Sequence, residues 1–204
     1  MAEPSATLPH HDFLPKVIQG LSSLLHRVAE SNDINRRFHQ AQKTSIFHAL
    51  AKPNISIQNY LERIFTYANC SPSCFVVAYV YLDRFIKNQP NLPINSFSVH
   101  RMLIASVLVS AKFMDDVFYN NAFYARVGGI STVEMNVLEI DFLFGIGFKL
   151  NVTVETFNTY CHFLQTQVLG STSLHSPVSI TKQLKLLHCF PEDDSSTHHK
   201  QLAV

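Results

Sequence analysis

The sequence is short of glycine, of net charge and of long apolar runs, and each shortage narrows the field. Six glycines and nine prolines in 204 residues leave no room for a fibrous or glycine-rich disordered chain. Charged residues make up only 15% of the chain, and 16 Lys and Arg against 15 Asp and Glu give a formal net charge of +1. Domains that hold nucleic acid by bulk electrostatics carry a clear basic excess, so no nucleic-acid partner is expected. Four cysteines (Cys70, Cys74, Cys161 and Cys189) are too unevenly spread for the disulfide framework of a small secreted domain. The most apolar stretch, residues 102–111, is about half of the roughly 20 residues that cross a bilayer, and reads as a buried core helix. The opening MAEPSATLPHHDFLPK lacks the basic start and apolar run of an export signal. A reduced, intracellular protein with no membrane partner is therefore expected, in the nucleus or the cytoplasm.

What is present is apolar content, 47% of residues, arranged at helical spacing. Val17, Leu21, Leu24, Leu25 and Val28 outline an amphipathic helix over residues 16–29, expected to lie outside the main core. A polar stretch follows. Ser56 then caps a helix whose apolar face is Ile57, Tyr60, Leu61, Ile64, Phe65 and Ala68. Ser71-Pro72 supplies a cap and a first-turn proline for the next, CFVVAYVYLDRFI. Residues 95–113 form the most apolar helix, and a helix apolar all round belongs at the centre of a bundle. After a turn-rich connection over residues 120–129 with room for one short helix, Ser131-Thr132-Val133-Glu134 is a capping box for a helix that stops at Gly145 and Gly147. A last helix runs from Val154 to Leu169. Past Gly170 the composition turns polar and reads as a mostly disordered tail. The expectation is one all-helical domain over residues 45–169, an N-terminal extension over 1–44 and a tail over 170–204.

Signatures of catalysis are missing. There is no HExxH and no matching pair for Cys70-x3-Cys74, so no metal is expected; there is no GxGxxG or GxxxxGK[ST], so no nucleotide cofactor. No nucleophile motif or paired-carboxylate site stands out either, and no small-molecule substrate is implied. What remains is a set of lone charges inside apolar helices: Asp83, Lys112 and Glu139. Such groups are paired or aimed at a surface that a partner covers. Asp83 as a structural ion-pair member, Lys112 as a favourable helix C-terminal charge and Glu139 on a solvated stripe are the plainer alternatives.

Tyr81-Leu82-Asp83-Arg84-Phe85, Leu103-Ile104-Ala105-Ser106, Ser110-Ala111-Lys112-Phe113, and Leu138-Glu139 followed by Phe148-Lys149-Leu150 resemble the successive motifs of the cyclin box. ISIQNYLERI, SAKFMDD and NNAFYARVGGIS point to the plant P-type (U-type) cyclins, which are similar to the yeast cyclins of phosphate signalling. The resemblance covers residues 45–168. It implies a single five-helix cyclin box and a non-catalytic subunit that binds and activates a cyclin-dependent kinase, in cell division or phosphate signalling. It further implies that Lys112 and Glu139 reach backbone groups of the kinase beside its movable C-helix, and that Asp83 supports the box from within. The alternative is a cyclin-fold scaffold that binds a kinase or a transcription component without activating it.

The chain departs from better-known cyclins in three ways. The arginine that supports the aspartate falls near Asn54, where none exists, which leaves Arg63 as a candidate. The tryptophan and acidic residue of the substrate-docking patch are replaced by Tyr60 and Arg63, and the chain has no tryptophan at all. The sequence beyond Gly170 is too short and polar for a second cyclin fold. Within it, Ser176-Pro177 is a minimal proline-directed phosphorylation site.

Overall fold

The structure, a computed structural model, describes residues 10–36 and 45–170. The expectations for Ser176, Cys189 and the tail lie outside the described residues. Among the described residues there are seven helices and no strand: α1 (His10–Arg36), α2 (Ile57–Ala68), α3 (Pro72–Asn88), α4 (Val99–Met114), α5 (Asn121–Gly128), α6 (Thr132–Gly145) and α7 (Val154–Gly170). The all-helical class expected from the periodicity is what is observed. None of these helices is long and apolar enough to cross a membrane.

The helix starts follow local chemistry. Ser56 Oγ accepts from the Asn59 amide at 3.1 Å, closing the first turn of α2. At α6 both halves of the capping box are made: the Glu134 amide donates to Ser131 Oγ, and the Ser131 amide donates to Glu134 Oε2. Helix α4 begins at Val99 rather than at residue 95, because Asn95 Oδ1 accepts from the Phe97 and Ser98 amides and holds a turn there. The turn-rich connection contains α5, capped by Asn120. Ser71 makes no side-chain cap; its amide donates instead to Asp115 Oδ2 at 3.0 Å, tying the start of α3 to the end of α4.

Helix α4 is the centre of the bundle, with every residue from Met102 to Ala111 buried. Helices α3 and α6 pack on it. Ser106 and Ser110 are buried there too, and their hydroxyls donate to carbonyls one turn back, so neither is left without a partner. An aromatic cluster locks α3 to α6: Phe85 and Phe142 stack at 5.1 Å, and Phe47 meets Phe85 edge-on at 5.0 Å.

The N-terminal helix corrects the sequence reading. It was expected outside the core, yet α1 packs against α7, α2 and α3, and Val17, Leu21 and Leu24 are fully buried. It also runs on through the polar stretch to Arg36. Asn32 Nδ2 donates to the Ile94 carbonyl at 2.7 Å, and Asp33 Oδ1 accepts from the Ser96 amide at 3.1 Å. Those polar residues serve the α3–α4 loop, which is why a stretch that reads as solvent-facing stays helical.

Candidate functional site

Lys112 stands in the last turn of α4, where a cation complements the helix dipole, and Glu139 stands on α6. The packing of α6 on α4 brings them together. Lys112 Nζ donates to Glu139 Oε1 at 2.6 Å, with side chains 29% and 16% exposed. The second oxygen, Glu139 Oε2, accepts from Asn121 Nδ2 at 2.6 Å, from the start of α5. Lys112 thus keeps its helix C-terminal place, and the solvated-stripe reading of Glu139 gives way to one half-buried pair. Lys112 keeps ammonium protons beyond the one given to Glu139, so the pair still has donors to offer a partner.

The elements that carry the pair also expose apolar side chains. On α6, Val133, Val137, Ile140 and Phe144 recur at helical spacing, all exposed, opposite the buried Met135, Leu138 and Phe142. Phe113 and Met114 extend α4 beyond Lys112, and Val117, Phe118 and Tyr119 follow in the loop, all exposed as well. Phe148 closes the other end, meeting Phe144 edge-on at 5.2 Å. Its backbone is left-handed, with φ of +57°, a conformation that a bulky side chain adopts only under constraint.

The comparisons decide the family. The sequence profile of the cyclin family matches residues 13–150. The chain belongs to the cyclin family. It is 59% identical over 199 residues to Cyclin-U4-1 of Arabidopsis thaliana, covering 96% of both chains. It is 55% identical to Cyclin-P4-1 of Oryza sativa subsp. japonica, over 91% of this chain and 88% of the relative. With Cyclin-P3-1 of the same species the identity is 51%, over 76% and 66%. The resemblance to plant U-type and P-type cyclins is therefore shown, and cyclins are regulatory proteins rather than enzymes. The matched region takes in most of α1, as the packing does.

In this cyclin, Asp83 lies apart from the exposed face, on α3, 2% exposed. Lys87, one turn on, reaches Asp83 Oδ2 at 3.0 Å, and the Tyr160 hydroxyl of α7 donates to the same oxygen. A lysine and a tyrosine thus stand at the carboxylate of a cyclin that lacks the family's arginine near Asn54. Arg63 does not reach it: its guanidinium donates to the Arg126 carbonyl at 3.3 Å. Lys87 was legible as an i,i+4 partner; Tyr160, 77 residues away, was not.

Tyr60, the counterpart of the docking tryptophan, is 3% exposed. Its ring meets His100 at 4.9 Å and its hydroxyl donates to the Gly128 carbonyl, while burial pushes the phenol well above its usual range. His100 Nε2 donates to the Ile55 carbonyl, and burial lowers the imidazole below its ordinary value.

Cys70, Cys74 and Cys161 are free thiols. Among the described residues no group of His, Cys, Asp or Glu is arranged to hold a metal ion.

Proposed function

We propose that this cyclin is the regulatory subunit of a cyclin-dependent protein kinase, binding it through the face around Lys112 and Glu139. The observation that carries the reading is that pair: two charges from different helices, fixed against each other, on elements that also expose Phe113, Ile140 and Phe144. Monomeric proteins seldom leave such a surface open to water. A kinase without its partner keeps the C-helix displaced, and the lysine–glutamate pair that holds the ATP phosphates is not assembled. A rigid face that binds only the inward position shifts that equilibrium as far as its differential affinity allows. Lys112 donors and the Glu139 carboxylate meet backbone groups beside the C-helix, and the apolar residues cover its flank. The complex acts inside the cell, in division or phosphate-signalling control.

The test is co-purification with recombinant plant cyclin-dependent kinase catalytic subunits, followed by histone phosphorylation. Lys112→Ala with Glu139→Ala keeps the fold and costs about 2–4 kcal/mol of binding, as for anchor charges at a desolvated interface. Exchanging the two residues restores the internal ion pair but not the binding. Unchanged affinity in the double alanine variant refutes the reading; binding without phosphorylation marks a scaffold instead.

A further inference from the structure

We infer that Asn121 is a positioning residue for Glu139, holding its carboxylate in the orientation the kinase meets; this rests on the functional reading above. Helix α5 is capped by Asn120, whose side chain accepts from the Phe123 amide at 3.0 Å, so Asn121 is not needed as the cap. Its amide nitrogen has two protons, and both are used on α6: one on Glu139 Oε2 at 2.6 Å, the other on Asn136 Oδ1 at 2.8 Å. The orientation of the amide is forced, since an ionised carboxylate only accepts. Asn136 precedes Glu139 by one helical turn, so a single amide spans that turn.

Each oxygen of Glu139 is thereby fixed from a different helix, Oε1 by Lys112 of α4 and Oε2 by Asn121 of α5. A free glutamate is among the side chains with most rotamer freedom to lose on binding. Held at both oxygens, this one has lost that freedom before a partner arrives. The amide is neutral, so it orients Glu139 without competing with Lys112 for its charge. A cation at position 121 would compete.

A purely structural role makes a different forecast. If Asn121 only started α5, Asn121→Asp would serve as well or better, because acidic groups favour a helix N-terminus. As a positioning residue it fails in that variant, which turns a donor into a like charge facing Glu139.

The experiment has two arms on the full chain. In the nitrogen-15 spectrum of the free protein, the Asn121 side-chain amide proton given to Glu139 exchanges slowly with solvent and loses that protection in Glu139→Ala. With those recombinant plant cyclin-dependent kinase subunits that bind the wild type, Asn121→Ala and Asn121→Asp weaken binding on the order of tenfold at an unchanged melting temperature. Adding Asn121→Ala to Glu139→Ala causes no further loss. Amide protection indifferent to Glu139→Ala, or an equal loss from Asn121→Ala in both backgrounds, overturns the inference. So does wild-type affinity of Asn121→Ala where Glu139→Ala binds weakly. Wild-type affinity of Glu139→Ala identifies a failure of the functional reading and removes the role of Asn121 in binding with it.

Discussion

Gly20→Ala tests the seating of α1 most sharply. Glycine inside a helix costs about 0.5–1 kcal/mol relative to alanine, so on propensity alone the substitution stabilises α1. The packing reverses the sign. A Cβ at position 20 would lie 2.1 Å from the Leu164 carbonyl oxygen of α7 and 2.9 Å from its carbonyl carbon. These are backbone atoms, and no rotamer relieves the clash. Carbon–oxygen contacts need about 3.3 Å, so the helices must part by roughly 1 Å. A gap of that size forfeits a quarter to a half of each dispersion contact across the seam, where Val17, Leu21 and Leu164 are fully buried. Overpacking of this kind costs about 1–3 kcal/mol and more where backbone is involved, and the propensity gain offsets only part. A net loss of about 1–2 kcal/mol lowers the melting temperature by about 2–8 °C in a chain of this length. Thermal denaturation followed by circular dichroism measures it, with Gln19→Ala, exposed on the same helix, as the neutral control. A melting temperature for Gly20→Ala equal to or above wild type would refute the close approach of α1 to α7.

Asp83→Ala breaks a buried ion pair and removes the carboxylate oxygen that accepts from the Tyr160 hydroxyl, so urea denaturation should show a loss of about 3–5 kcal/mol, with Asp83→Asn in between; a loss below about 1 kcal/mol contradicts the internal-support role. Glu134 is held down to about 2 by the Ser131 amide, then the Ser131 hydroxyl, then Arg101. Its folded value lies below the unfolded one, so its stabilisation is present above about pH 4.5 and is lost as pH falls from there toward 2. Denaturation curves for Glu134→Gln should therefore be flatter than wild type across that window, and parallel curves refute the assignment. A labelled arginine-and-leucine docking peptide should show no micromolar binding by fluorescence polarisation, since Tyr60 is buried and Arg63 repels the incoming guanidinium. Micromolar binding that is lost on mutating Tyr60 would contradict this.

Local order was largely legible. The Ser56 and Ser131 caps, the first-turn Pro72 of α3, the glycine stop of α6 and the all-round apolar character of α4 depend on residues within a turn or two of each other. Their hydrogen bonds close over three or four positions, so the chain states them wherever it is read. The site was half legible: the motifs singled out Lys112, Glu139 and Asp83, but not what each one touches. Asn121 carried no signal, because an asparagine at a helix start reads as capping.

The sequence by itself determined the helices, their polarity and the family, since periodicity, caps and motif order are properties of neighbours along the chain. Only the tertiary structure decided that α1 belongs to the packed body, that Tyr160 reaches the Asp83 carboxylate beside Lys87, and that Glu139 is gripped by two helices. Each of these joins atoms tens of residues apart. A polar residue on an amphipathic helix looks the same whether water or a distant loop receives its hydrogen bond, and a glycine looks like a weakness until another backbone passes beside it. Those partners are chosen when the helices pack, by which faces exclude water together and which buried donors then find an acceptor.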